Sequence, residues 1–475
     1  MSTSKMIVLF FLFSLNMGQA QERCDCNTIL DSVSEDIEVN SASYAHQVIE
    51  YKREKEYITH KKQIKAISKR ITSQKECMGL IQLYLSFLRD QHQKLFLTDE
   101  YYPFTTFKDS LSVKSFIAKN VENFSLDSDN GPDELIGNWI HEGGKLEIQI
   151  QKNKEKGRTH IGVFKKPYSY YGKSGDLKIE FYKNESDELL ANYWDFAQSP
   201  SIYKVTTDKN RLSLGRNLHF YRSFDTIKKD EEPLKNETYF DVLSEKTNYL
   251  RVHSFDYSNK ITIDSIIASN LPKIKESPNL IIDVRDNGGG SDLSYKELLP
   301  LVLDSIYYKN PISASIWVSK DNLKNFEKEK YQYGVKTKTD SINADKRIEE
   351  LKPYLGGFTP GEFWVFQTDK LYNEVKNVYL LINRNCASST EGFILTAMQS
   401  SKVKTFGEHT SGTLSYGDWR ELKIDGLPAM ISLTTKKMTL IDKSDIESIG
   451  IAPDVELDEN STSKWLDIAL KTIDN

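Results

Sequence analysis

Cysteine is scarce, with four residues in a chain of 475. Cys24, Cys26 and Cys77 have no histidine at ligand spacing, which makes a zinc site a poor reading. A basic excess is missing as well: 63 Lys and Arg stand against 68 Asp and Glu, a net charge of −5. Nucleic-acid binders usually carry the opposite balance, so no such partner is expected. No apolar run beyond the first residues approaches the roughly 20 needed to span a bilayer. Neither GxxxxGK[ST] nor GxGxxG with its later acidic partner occurs, and no internal repeat is apparent; no nucleotide, metal or other cofactor is expected. What remains, 39% hydrophobic and 28% charged residues, describes a soluble globular chain long enough for two or three domains.

The N-terminus has Lys5, an apolar run from Met6 to about Leu15, and Gly18-Gln19-Ala20, a small-x-small cleavage pattern. Residues 1–20 read as a signal peptide, and the product as exported, periplasmic or extracellular, with no membrane span in the mature chain. In an oxidising compartment one of Cys24 and Cys26 is expected to bridge to Cys77. Such a loop stabilises by about 4 kcal/mol in the chain-entropy model. The sequence leaves the choice between the two open.

Three textures follow. Residues 24–128 read as a helical subdomain, with Ile64, Ile67 and Ile71 at three- and four-residue spacing, a denser apolar face in "GLIQLYLSFL", and one more short helix within 107–128. The basic run Lys61, Lys62, Lys65 and Lys69 reads as a solvated helix face, and Asp90 with His92 as a helix-end charge pair near a cleft. Residues 131–228 alternate apolar and polar residues in "KLEIQIQ", "THIGVFKK", "DLKIEFYK" and "RLSLGRNLHFYR", a β-rich module. Its Trp139, Tyr168, Tyr170, Tyr171 and Trp194 read as core and cross-strand aromatics rather than a ligand surface. Over 237–475, apolar strands alternate with helices, which predicts an α/β domain with a mostly parallel sheet covered on both faces. The charged stretch 320–360 is expected as an excursion or lid.

Two stretches of that domain carry chemistry. In "NLIIDVRDNGGGSDLSYKELL" a strand runs into Gly288, Gly289 and Gly290 before a helix, so unhindered N–H groups can face developing negative charge. In "LLINRNCASSTEGF" Ser388 stands at a strand-to-helix turn, three residues before Glu391. That spacing fits a capping box, and the position fits an exposed nucleophile. Cys386 is a rival nucleophile, although a lone thiol at a strand end is usually buried.

Together with "TFGEHTSGT" and "IESIGIAPDVEL", and with "YLSFLRDQHQKLFL" upstream, these stretches resemble the tail-specific, or C-terminal processing, serine proteases. The likeness covers about 27–97 and 237–460. It implies a ClpP/crotonase-like core, shared with tricorn protease, and an endopeptidase acting on protein or peptide substrates. Position by position it assigns Ser388 as nucleophile, and Ser389 with Gly288 or Gly289 as oxyanion donors. Thr413 stands where many members have the lysine base. His253, two residues beyond a tricorn-like histidine position, is therefore the expected base, with His409 second. The usual PDZ module is absent and the β-rich block takes its place. The missing lysine motivates an alternative, a catalytically silent member that binds peptides or apolar ligands, and a weaker one, another acyl hydrolase. Oligomeric state is not encoded legibly.

Overall fold

The computed structural model describes residues 24–97, 121–126, 133–168, 171–184, 186–196, 198–216, 218–223, 234–329, 338–361, 363–442, 444–457 and 464–473. The expected leader, most of the helix expected within 107–128, and Tyr170 lie outside these residues.

The N-terminal subdomain is built on helices Cys26–Asn40, Glu54–Ser68 and Gln74–Leu85. Asp25 and Ser73 cap the first and third, each side chain accepting a backbone N–H at 3.2 Å, from Thr28 and Glu76. Leu30, Val33 and Ile37 recur along one face and pack into one cluster with Ile64, Leu80 and Ile81. Cys26 and Cys77 are bonded across 51 positions, while Cys24 is a buried thiol whose pKa burial pushes up to about 11. The helical reading fails at the subdomain's end. Leu95–Leu97 is strand β1, buried at both ends, and it pairs antiparallel with Ala429–Ile431 of a later strand.

The β-rich module is a closed antiparallel barrel of eight strands. They are β2 (Gly137–His141), β3 (Glu147–Lys152), β4 (His160–Phe164), β5 (Leu177–Lys183), β6 (Leu189–Trp194), β7 (Pro200–Thr207), β8 (Arg211–Leu214) and β9 (Leu218–Tyr221). Each strand pairs with the next, and β9 returns to β2, so closure removes the exposed edges a small sheet would carry. Inward positions Trp139, Ile148, Ile150, Phe164, Ile179, Phe181 and Phe220 form its core. Trp194 instead packs outward against the N-terminal helices, and Tyr168 stacks on Phe196 with centroids 5.1 Å apart.

The remaining strands are β10 (Tyr239–Ser244), β11 (Thr247–Arg251), β12 (Asn279–Asp283), β13 (Tyr307–Lys309), β14 (Ile312–Val318), β15 (Gly357–Phe358), β16 (Val365–Gln367), β17 (Asn377–Ile382), β18 (Val403–Gly407), β19 (Tyr416–Lys423), β20 (Ala429–Leu440) and β21 (Val455–Glu456). Six form one sheet in the order β10-β11-β12-β17-β18-β21, parallel except for the β10–β11 hairpin. Alternate residues serve two cores: Leu250, Leu280, Ile282 and Leu380 face one with Ile263 and Ile267 of helix Lys260–Glu276. Tyr249, Ile281, Leu381 and Phe406 face the other with Trp465 of helix Trp465–Ile473. A second sheet, β1-β20-β14-β15 with β19 also on β20, joins the N-terminal subdomain to this domain. The charged excursion contains helices Lys320–Glu329 and Lys338–Leu351, and Leu323, Phe326 and Leu351 pack on Ile316 and Val318 of β14.

Replacing both Cys26 and Cys77 by serine is expected to lower stability by about 4 kcal/mol, because the 51-residue separation sets the entropy of the open loop. Urea unfolding monitored by circular dichroism, with and without reductant on the wild type, measures it.

Candidate active site

At the C-terminal ends of the parallel strands, the glycine strip and the Ser388 turn lie side by side. Asn287 organises the strip. Its buried Oδ1 accepts from Phe255 N–H at 3.1 Å, Gly289 N–H at 3.0 Å and Thr390 Oγ1 at 2.8 Å, and its Nδ2 donates to Val252 O at 3.1 Å. Gly289 has φ +97. A Cβ there would sit 2.6 Å from Ala387 O and 2.9 Å from Ser388 Cβ, so only glycine permits this approach.

Ser388 itself has φ 56 and ψ −123, a conformation L residues adopt only at a cost of about 1–3 kcal/mol. The turn is held by Glu391, buried at the start of helix Ser389–Ala397. Its carboxylate accepts from Ser388 N–H at 3.1 Å, Thr410 Oγ1 at 2.6 Å, and the Gly412 and Thr413 N–H groups at 2.8 Å each. Burial pushes the pKa of Glu391 up, and these donors work in the opposite direction. The capping-box glutamate is thus also the anchor of the loop 410–413. Ser389 Oγ donates to Gly290 O at 3.1 Å.

Facing Ser388 Oγ, at 3.3 Å, is Nε2 of His92. The histidine comes from the N-terminal subdomain, 296 positions away. The segment 90–94 around it is tied down at several points. Asp90 Oδ1 accepts from His92 N–H at 2.9 Å and Gln93 N–H at 3.2 Å, and Asp90 Oδ2 accepts from Thr434 Oγ1 at 2.6 Å. Glu447 Oε1 accepts from Gln91 N–H at 3.0 Å, and Thr413 Oγ1 donates to Gln91 Oε1 at 3.2 Å. Ser432 Oγ donates to His92 O at 2.5 Å and accepts from Lys94 N–H at 3.0 Å. Burial, and then the charge of Lys94, lower the His92 pKa to about 4, so the ring is neutral at ordinary pH. Burial pushes Asp90 up to about 6. It pushes Glu447, with the charge of Asp90 adding, up to about 8. His92 Nδ1 is sealed from solvent and has no hydrogen-bond partner among the described residues.

The two histidines expected as base are elsewhere. His253 lies just beyond the end of β11, and its Nδ1 bonds to Thr238 Oγ1 at 3.1 Å. His409 contributes its carbonyl to Arg216 Nη2 at 3.1 Å. Neither ring hydrogen-bonds to Ser388. His253 was expected from its place two residues beyond a tricorn-like histidine position, but β11 stops at Arg251 and the ring bonds to Thr238 instead. The helix-end charge pair expected of Asp90 and His92 in "RDQHQK" is not formed between their side chains. Asp90 and His92 meet through backbone, and the imidazole reaches across the domain boundary.

One expected oxyanion donor is also corrected: Gly289 N–H is committed to Asn287 Oδ1. The Gly288 and Ser389 N–H groups have no acceptor among the described residues. Cys386 is fully buried, its thiol 3.1 Å from Val284 O, and burial raises its pKa. Thr413 bonds through its hydroxyl to Ser411 and Gln91. Among the described residues no cluster of three or more His, Cys, Asp or Glu could hold a metal ion, and no helix is long and apolar enough to cross a membrane.

A family-wide sequence profile described as peptidase family S41 matches residues 246–457. No curated protein matches the sequence. Among solved structures, the chain is similar to mature CPAF, at 12% identity over 94% of this chain and 97% of that one, with a TM-score of 0.51, which shows a shared fold. It is also similar to the photosystem II D1 C-terminal processing protease, at 13% identity over 91% and 93% of the two chains, with a TM-score of 0.40. A chain from Parabacteroides merdae matches at 18% identity and a TM-score of 0.34; 51% of this chain covers 65% of that one.

Removing the Glu391 carboxylate leaves three N–H groups and a hydroxyl without their acceptor. Glu391→Ala is therefore expected to destabilise by at least about 3 kcal/mol, read as a lowered urea midpoint at unchanged slope, whereas Ser388→Ala should shift it by less than about 1 kcal/mol.

Proposed function

Because residues 246–457 belong to peptidase family S41, the tail-specific and C-terminal processing proteases, we propose that this chain is an exported serine endopeptidase with Ser388 as nucleophile and His92 as base. The observation that carries the reading is the 3.3 Å approach of His92 Nε2 to Ser388 Oγ. That distance is of the kind that shortens once substrate is bound. Neutral His92 takes the hydroxyl proton as Ser388 Oγ attacks a peptide carbonyl. The oxyanion forms against the N–H groups of Ser389 and Gly288, each such donor being worth about 3–4 kcal/mol of barrier lowering. Protonated His92 then passes its proton to the leaving amine, and water releases the acyl group from Ser388 by the same path in reverse.

For Nε2 to accept the hydroxyl proton, the ring must carry its own proton on Nδ1. The parallel sheet that presents both turns is, in this proposal, a ClpP/crotonase-like core. Protein or peptide substrates follow from the family, and export from the leader-like N-terminus. A silent, ligand-binding relative was motivated by the absence of a lysine at Thr413, and a histidine at the hydroxyl removes that motive.

With an unfolded protein such as β-casein as substrate, Ser388→Ala and His92→Ala are expected to lose at least about a thousandfold in kcat/KM. His253→Ala and His409→Ala should stay within about twofold. Retained activity in His92→Ala, or loss in His253→Ala, would overturn the assignment of the base. The neutral imidazole is the active form and its pKa is depressed to about 4. The acid limb of kcat/KM should accordingly fall near pH 4, not at the ordinary histidine value near 6.5. A pH profile from 3.5 to 8 measures it.

A further inference from the structure

The barrel touches the catalytic domain at a point the proposed chemistry does not use. Gly215, with φ +62, turns the β8–β9 hairpin and leaves Arg216 at its tip. One guanidinium then donates to three backbone carbonyls of the catalytic domain: Nη1 to Thr410 O at 2.9 Å and to Ile449 O at 2.5 Å, and Nη2 to His409 O at 3.1 Å. The carbonyl of Arg216 accepts in return from Arg384 Nη1 at 2.6 Å, and the same nitrogen bonds to His219 Nε2 of β9 at 2.9 Å. Arg384 belongs to the turn that carries Ser388, and its Nε contacts both oxygens of Glu408 at 2.9 Å.

These contacts lead into the site from two sides. Thr410 Oγ1 donates to Glu391, which holds the Ser388 N–H, and Ser411 N–H donates to Cys386 O at 2.8 Å. Ile449 lies two residues after Glu447, which holds the backbone just before His92. The loops 408–413 and 446–451 also bond directly, Thr410 N–H to Ile451 O at 3.1 Å and Ile451 N–H to Thr410 Oγ1 at 2.7 Å. A Cβ on Gly450 would sit 2.0 Å from Thr410 O, so the loops meet without room for a side chain. Arg216 is therefore bonded to carbonyls of the loop that serves the nucleophile and of the loop that serves the base. The 408–413 loop, Glu-His-Thr-Ser-Gly-Thr, brings no apolar side chain of its own, whereas Ile446 and Ile451 seat the second loop in the main core.

We propose that the barrel acts in cis as a clamp on the catalytic centre, with Arg216 as a positioning residue that fixes the 408–413 and 446–451 loops relative to one another. This rests on the peptidase reading above, but the clamp itself is a statement about loop order and can fail separately. Because Arg216 sits at a hairpin tip outside the barrel's core, its substitution leaves the barrel intact.

The experiment compares full-length wild type with Arg216→Ala and Arg216→Lys by three readouts: β-casein hydrolysis, the rate of fluorophosphonate labelling at Ser388, and amide hydrogen exchange of residues 408–413. Arg216→Ala is expected to lose at least tenfold in kcat and in labelling rate with KM within twofold. Its 408–413 amides should exchange at least tenfold faster while those of β2–β9 are unchanged. Arg216→Lys, which still donates to the carbonyls, should recover part of the loss. Unchanged exchange in Arg216→Ala overturns the clamp whether or not the protein is a peptidase. Faster exchange with unaltered labelling overturns the positioning role. A wild type that hydrolyses nothing and is not labelled defeats the peptidase reading and with it the catalytic role of Arg216, leaving loop order to be read by exchange alone.

Discussion

Three residues of strand, Leu95–Leu97 paired with Ala429–Ile431, hold a histidine from one subdomain against a serine of another. β1 begins three residues after His92, so its register on β20 fixes where the imidazole stands. A slip of one residue would turn the pairing inside out and carry the ring away from Ser388. The clamp around this short pairing is polar. Ser432, Thr434 and Thr413 bind the backbone or side chains of residues 90–94, and Glu447 takes the Gln91 N–H. Hydrogen bonds of this kind contribute about 1 kcal/mol each when satisfied and cost more when one partner is lost. Their main effect here is directional.

Buried acids do most of the positioning. Glu391 gathers the Ser388 turn and the 410–413 loop, Glu447 gathers the 414–415 backbone and Gln91, and Asp90 gathers the His92 segment and β20. All three are nearly sealed from water and all three have pKa values raised by burial. A carboxyl placed so is expensive to bury, and the three or four donors aimed at each carboxylate offset that cost. The same burial lowers the His92 pKa, which keeps the ring neutral and able to accept a proton. Desolvation of the cleft thus acts on the acids and the imidazole in opposite senses, and in the proposed role the neutral ring is the form that takes a proton.

Much of the architecture was legible because it depends on local pattern. Period-two alternation announced the barrel strands, continuous apolar runs announced β12 and β17, and the glycine strip with Ser388 and Glu391 announced the turn at their ends. Closure of the barrel was not legible, since pairing β9 with β2 is a long-range choice that alternation does not encode. The approach of His92 to Ser388 was not legible for a similar reason. Little in the local sequence separates His92 from His253 or His409, and the decision lies in a strand pairing between residues more than three hundred positions apart. What signal there was lay in "LFL": a short apolar run directly after "DQHQK" can end a helical subdomain as a strand and carry its preceding histidine onto another sheet. Arg216 was silent in the sequence, because a basic residue at a hairpin tip looks like any solvated turn.

In the proposed function Ser388 Oγ, His92 Nε2 and the amides of Ser389 and Gly288 surround one reacting centre. A crystal structure of the protein inactivated by an organophosphonate tests it most directly. The account predicts phosphorus on Ser388 Oγ, the phosphonyl oxygen accepting from the Ser389 and Gly288 N–H groups, and His92 Nε2 within about 3 Å of the ester oxygen. An adduct on another residue, or one at Ser388 with His253 or His409 in the place of His92, would contradict it.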